Sequence, residues 1–317
     1  MPNRNPDRPL LGRLIAALVR ASGRLPLPAL HAIAITLGHL IWPLRDPNRR
    51  IIEANLAICY PDLTSRERQR LGRRSMVETA KTALEAGRLW FGPAAVTARL
   101  WRETVGAEHL EAAQAQGRGV ILAIPHLGCW EFLGLALSRQ QSMTSLYRPP
   151  RMTTLEQLVR DGRERFGARL VPVGSRGIRA VLTRLRDGEL VAILPDQAPA
   201  KQNGVIAPFY GQPAWTMTLL GRVAASSGAP VVFTWAERLP RGRGFRVHFE
   251  PAPEGIADPD PEVATRALNQ GVEACVRQRP DQYQWCYRRF GHIRGWKPYQ
   301  KGGARRAPPG MDSGLRG

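Results

Sequence analysis

Cysteine is scarce in this 317-residue chain: Cys59, Cys129, Cys275 and Cys286 are scattered, and no two stand in a C-x-x-C unit. That pattern excludes a disulfide framework and gives no zinc-ligand spacing, so the thiols are expected to be reduced, in a cytoplasmic setting. His109, His248 and His292 add no metal-ligand spacing, and no metal is assigned. Acid is in short supply too, with 26 Asp plus Glu against 46 Lys plus Arg, a formal net charge of +20. Lysine contributes little, since nearly all the basic residues are arginines. Such a surplus favours nucleic acid, anionic membrane, phosphorylated substrates or an acidic carrier protein. A GC-rich genome also favours arginine codons, so charge alone selects none of these. Long apolar runs are absent after residue 44, which leaves no second spanning segment. The hydrophobic content is nonetheless 43%, enough for a sizeable core and against disorder as the default.

A twenty-residue uncharged run near the N-terminus, Leu25 to Leu44, LPLPALHAIAITLGHLIWPL, has arginines on both flanks. Its length meets the minimum for a spanning helix, but three prolines crowd its ends and His31 and His39 lower its hydrophobicity. The preceding LLGRLIAALVRASGRL repeats arginine on one side of an apolar helix, which suits a position in the membrane interface. A membrane anchor, spanning or interfacial, stands against the alternative of buried core helices. No small-residue cleavage site follows, which speaks against a cleaved signal peptide.

Beyond the anchor, NRRIIEANLAIC and TSRERQRL read as helices broken at Tyr60-Pro61, with Asp62 or Thr64 as the second cap. Helical texture continues through MVETAKTALEAGRLWF. From Val105 short apolar runs recur: Gly119 to Pro125, Met143 to Tyr147, Arg169 to Val173, Glu189 to Pro195 and Ala229 to Trp235. Between them lie helical patterns, TTLEQLVRDGRERF, SRGIRAVLTRLRDG and TMTLLGRVAASSG. Near-continuous apolar strands alternating with helices indicate an α/β fold with a mainly parallel central sheet flanked by helices. The expected organisation is a membrane-associated helical segment at 1–50, a catalytic domain at 51–296 and a disordered basic tail at 297–317.

AIPHLGCWEFLG (Ala123 to Gly134) carries the chemistry. A buried strand ends at Pro125, His126 follows at once, and Glu131 comes five residues later. Within one helix, positions five apart lie about 140° apart and do not meet. With His126 in the strand-to-helix turn and Glu131 in the first helical turn, the two are expected to meet at the carboxyl end of a parallel strand, where open sheets place their sites. A carboxylate on one imidazole nitrogen fixes the tautomer and makes the other nitrogen a base for an alcohol proton. Spacing alone is weak evidence, since a packed histidine beside a surface glutamate has the same form. Cys129, inside the motif, is expected to pack rather than attack.

H-x-x-x-x-E after an apolar strand resembles the glycerolipid acyltransferase-like superfamily. The whole chain is similar to the lipid A biosynthesis lauroyl/myristoyl acyltransferases of Gram-negative bacteria. The matching stretches are NLAICYPDLTSRER, GVILAIPHLGCWEFLG, LYRPP, LRDGELVAILPDQ, PFYGQPAWT and DQYQWCYRRF, in the family's order. The resemblance implies His126 and Glu131 as the catalytic pair, and Arg148, Arg163 and Asp196 as substrate-binding residues. It further implies an acyl carrier protein as thioester donor, a phosphorylated glycolipid acceptor, no cofactor, no nucleic acid, and a place at the inner membrane facing the cytoplasm. Two departures stand out: PDQAP puts Ala198 where the family has a second carboxylate, and PRMTTLEQL replaces the usual run after YRP. Independently, residues 148 to 186 hold ten arginines, no lysine and three acids, a composition suited to phosphate. LGLAL (Leu133 to Leu137) and PAWTMTLL are the candidate walls of an acyl groove. Trp285, Tyr287, Arg288 and Arg289 are expected to be structural or lipid-contacting. A lysophospholipid acyltransferase and a non-enzymatic basic binding protein remain the alternatives.

Overall fold

The computed structural model describes residues 9–303, apart from 45, 151, 201 and 301, together with 306 and 307. Five helices come first: α1 (Pro9–Ser22), α2 (Leu27–Ile41), α3 (Pro47–Cys59), α4 (Ser65–Phe91) and α5 (Ala94–Arg99). Strands and helices then alternate as β1 (Trp101–Val105), α6 (Ala107–Gln114), β2 (Val120–Ala123), α7 (Trp130–Ser138), β3 (Met143–Tyr147), α8 (Glu156–Glu164), β4 (Arg169–Pro172), α9 (Ser175–Arg186) and β5 (Leu190–Ile193). A hairpin of β6 (Gly204–Phe209) and β7 (Gln212–Met217) precedes α10 (Leu219–Ser227), β8 (Val231–Arg238), β9 (Phe245–Pro251) and α11 (Pro261–Gln278).

Seven strands form one sheet in the order β1-β9-β8-β2-β5-β3-β4. From β8 to β4 all pairings are parallel, as the apolar runs predict. β9 returns antiparallel to β8 because the short connection through Gly242 and Gly244 leaves no room for a crossover. Every residue of β2 and β5 is buried. Helices cover both faces, with α9, α10, α11 and α3 on one side and α6, α7 and the end of α4 on the other. Thr64 caps α4 in a capping box with Glu67, so Thr64 rather than Asp62 starts that helix.

Several expectations need correction. β1 precedes Val105, where the first strand texture was expected. Met217 and its neighbours, read as the start of a helix, belong to β7. The β6–β7 turn holds Tyr210 and Gly211 at positive φ, a tight hairpin geometry that a helical reading of TMTLL overlooks. The boundary at 50 falls inside α3. Packed structure also runs past Lys297: the Tyr299 hydroxyl donates to Asn55 Oδ1 at 2.7 Å. Residues 301, 304, 305 and 308–317 of the expected tail lie outside the described residues, as do 1–8 and 45 of the N-terminal segment.

The N-terminal helices are not a separate unit. α2 lies along α4 through Leu27, Leu30, Ala34 and Gly38, and at Gly38 a Cβ would meet Val77 backbone at 2.8 Å. His31 is buried in the same contact and pairs with Glu85 at 2.6 Å. Glu85 also receives the Arg238 guanidinium at 2.8–2.9 Å. Burial pushes the Glu85 pKa up, but Arg238 and His31 outweigh it and the net direction is down. The opposite surface of the pair is apolar and exposed, with Leu10, Leu14 and Leu18 on α1 and Ile33, Leu37 and Leu40 on α2. Leu27–Leu44 is apolar and long enough to cross a membrane, with a mean hydropathy of 1.5, yet a third of it is buried against the protein.

Candidate active site

Parallel register brings the site together. Ala123 on β2 pairs with Ile193 on β5, and each strand continues as apolar–Pro–polar, so His126 and Asp196 stand three residues past paired positions. His126 Nδ1 lies 2.7 Å from Asp196 Oδ1, and the His126 backbone N–H donates to Asp196 Oδ2 at 3.0 Å. Burial alone raises the Asp196 pKa, but the charge and hydrogen bonds of His126 prevail and lower it, so Asp196 is ionised at neutral pH. With Asp196 accepting from Nδ1–H, the neutral form of the ring carries its lone pair on Nε2. Gln197 Nε2 sits 3.2 Å from that nitrogen.

The turn after His126 has a strict sequence requirement. Gly128 adopts φ +60, and a Cβ there would lie 2.0 Å from the Ala236 carbonyl oxygen. That contact lets Cys129 N–H donate to Ala236 at 2.8 Å and Gly128 N–H donate to Gln282 at 3.1 Å. Gln284 N–H donates to the His126 carbonyl, and the Ala198 N–H donates to the Tyr287 hydroxyl. DQYQWCYRRF is thus a strap that holds both the histidine turn and the aspartate loop. It is tied in turn by Asn55 Nδ2, which donates at 2.7 Å to both the Trp285 and Tyr287 carbonyls.

Glu131 does not reach His126. It lies in the first turn of α7, buried, and accepts from both Arg163 Nε and Nη2 and from Trp90 Nε1 at 3.1 Å. Burial opposes its ionisation, but the Arg163 charge dominates and holds its pKa below the usual glutamate value. The expected His126–Glu131 contact is therefore replaced by two carboxylate pairs, His126–Asp196 and Arg163–Glu131. The reason is geometric: the histidine ring leaves the turn toward β5, whereas Glu131 faces α8 and α4. Trp130, between them, meets the His126 ring edge-on at 4.9 Å.

Both pairs border one open cavity of about 780 Å³, within the range of roughly 300–1,000 Å³ common to small-molecule sites. His126, Glu131, Arg163, Arg148 and Gln197 line it, while Asp196 lies behind His126. Its deeper wall is apolar, with Leu135, Met143, Ala168, Leu170 and Leu194. Its exposed rim includes Arg148, Pro149, Gly174 and Arg222.

The bacterial lipid A biosynthesis acyltransferases match residues 7–292, which spans both halves of this site and its strap. The chain belongs to that family. It is 28% identical to the lipid A biosynthesis lauroyltransferase of Escherichia coli strain K12 over 268 residues, 84% of this chain and 87% of the relative. Identity to the palmitoleoyltransferase of the same strain is also 28%, over 84% of this chain and 86% of the relative. The myristoyltransferase is 25% identical over 80% and 78%. The protein is accordingly an acyltransferase.

Of the residues singled out in this lipid A acyltransferase sequence, His126 and Asp196 are in contact, Glu131 and Arg163 are in contact, and Arg148 stands exposed at the rim. Leu133 and Leu137 are buried in the core rather than in the cavity, which instead takes Gly134 and Leu135 from that stretch and Met217 and Leu219 from the other. Cys129 is fully buried, and burial pushes its thiol pKa well up, the condition of a packing residue. Arg289 is buried too, bonded to Trp215, Thr216 and Asn269, and Trp285 lies in the core. Gln197, Trp90 and Trp130 were missed. Gln197 adjoins Asp196 and Trp130 adjoins Glu131, but nothing local in RLWF points Trp90 at a carboxylate 41 residues away.

Proposed function

We propose that this acyltransferase moves a fatty acyl chain from acyl carrier protein to a hydroxyl of a phosphorylated, already acylated glucosamine disaccharide, a late step of lipid A assembly at the cytoplasmic face of the inner membrane. The observation that carries the reading is the Asp196–His126 pair, aimed by its tautomer at the rim of a cavity that is apolar within and arginine-bearing at its mouth.

In this mechanism His126 Nε2 removes the acceptor hydroxyl proton as the oxygen attacks the thioester carbonyl carbon. Asp196 holds the ring and stabilises the imidazolium. The Gly128 and Cys129 N–H groups are already engaged, so they are poor candidates for the oxyanion. The Gln197 amide is the better one: the acceptor hydroxyl takes its place on Nε2 and frees it to face the developing charge. Collapse breaks the carbon–sulfur bond, and His126 returns the proton to the departing thiolate. Arg163, held in place by Glu131, and Arg148 at the rim face the acceptor phosphates. The exposed leucines of α1 and α2 rest in the membrane interface beside the mouth, since α1 packs against the 152–154 segment that follows Arg148.

The test is purified enzyme given acyl carrier protein loaded with a C12 chain and, in parallel, an acylated, phosphorylated glucosamine disaccharide or a lysophospholipid, with products read by mass spectrometry. One added acyl group on the disaccharide alone is expected. Transfer to the lysophospholipid alone would overturn the acceptor assignment.

A further inference from the structure

The acyl cavity is flanked by two surfaces of opposite character. On one side lie α1 and α2 with their exposed leucines and isoleucines. On the other lies α9, across the sheet, whose first-turn residues Ser175 and Ile178, with Gly174 just before them, form part of the cavity wall. The outer face of α9 carries Arg176, Arg179 and Arg186 at helical spacing, all exposed. Arg222, from the first turns of the adjoining α10, extends this basic surface to the cavity rim. Among the described residues none of these four guanidinium groups is paired with a carboxylate. Arg184, by contrast, is neutralised on the same helix by Asp187 and Glu189. No large apolar residue is exposed on α9 or α10; the nearest is Val173, just before α9 and itself part of the wall.

An unneutralised, apolar-poor arginine face that runs into the mouth of an acyl cavity has the wrong chemistry to insert into a bilayer and the right chemistry for a soluble acidic protein. We propose that the exposed face of α9, with Arg222, is the docking surface for an acidic carrier protein, which sits there while its thioester-bearing arm enters between the first turns of α9 and α10. The proposal rests on the carrier-bound donor of the preceding reading and adds where the donor binds. Donor and acceptor then approach His126 from opposite faces of the sheet, so both can be bound at once.

Arg176→Glu with Arg179→Glu reverses the charge of two exposed residues outside the reaction site. With acyl carrier protein as donor, KM is expected to rise about tenfold or more while kcat changes little. With the same acyl group on pantetheine, which lacks the acidic protein, kcat/KM should be unchanged. An equal loss with both donors, or unchanged KM for the carrier donor, would overturn the docking site. Loss of binding to anionic phospholipid vesicles with the donor KM unchanged would assign the face to membrane and overturn it likewise. Direct binding of acyl carrier protein to His126→Ala enzyme, with and without the two reversals, separates the two readings. If no thioester supports transfer, the function reading fails, yet carrier binding weakened about tenfold by the reversals still supports the surface. Carrier binding indifferent to them, or absent, overturns it.

Discussion

His126 and Asp196 form a unit whose parts are expected to fail differently from Glu131. Replacing His126 by Ala removes the base and should lower turnover by about two to four orders of magnitude, measured with saturating donor. Asp196→Asn loses the charge that holds Nδ1–H, so turnover should fall by a comparable factor and the pH profile of the residual activity should move. Glu131→Gln lacks that route to the imidazole. It releases Arg163, so activity should drop while the pH midpoint of what remains stays at the wild-type value. Equal displacement of the midpoint in both variants would contradict the two-pair geometry. Arg163→Lys tests the fork directly: Lys keeps the charge but cannot grip Glu131 through two N–H groups, and appreciable loss of kcat/KM is expected with a near-normal melting temperature. If Lys substitutes without effect, Arg163 is a solvated charge.

At the scale of elements, the contact of α2 with α4 depends on a buried ionic cluster rather than on apolar surface alone. Glu85 joins α4 to His31 on α2 and to Arg238 on β8, and both carboxylate oxygens are used. Glu85→Ala strands the guanidinium of Arg238 with only a longer contact to Glu78 at 3.4 Å and the Thr82 hydroxyl. Stability measured by denaturant unfolding is expected to fall by about 3 kcal/mol or more, the range for a buried ion deprived of its partner. The outer surface of the same helices should behave oppositely. Changing Leu14, Leu18, Leu37 and Leu40 to Ser touches exposed positions, so the fold should survive while flotation with phospholipid vesicles is lost. Retained flotation would remove the interfacial role of this face.

For the whole molecule, the depressed carboxylates set the direction of acid sensitivity. The folded-state pKa values of Glu131 and Asp196 lie below their ordinary ones. Their contribution to stability is therefore complete above the unfolded values, about 4.3 and 3.9, and is lost as pH falls through the lower folded values. Melting temperature should be flat from pH 7 to about 5 with respect to these groups and decline below about 4. Glu131→Gln should start lower at pH 7 and decline less steeply. A wild-type curve with no acid-side decline would show that neither carboxylate is held in its ionised form.

Much of this architecture is written locally. Apolar runs flanked by helical periods specify buried parallel strands, because a strand covered on both faces cannot alternate with polar residues. Thr64 with Glu67 specifies the start of α4, and the uncharged stretch to Leu44 specifies a helix with apolar surface to spare. His126 is legible too, as a polar residue immediately after such a strand. Its partner is not. The nearest acid in the chain, Glu131, turns toward Arg163 and Trp90, while Asp196 arrives from 70 residues away because β2 and β5 pair in register and end in the same Pro–polar step. Likewise the strap at 282–289 closes over the histidine turn only once the sheet has brought β8 beside it. Local pattern determines which segments are buried and where a turn must fall, since those depend on period and backbone freedom. Which carboxylate meets which cation depends on strand pairing between distant segments, and that only the assembled tertiary structure decides.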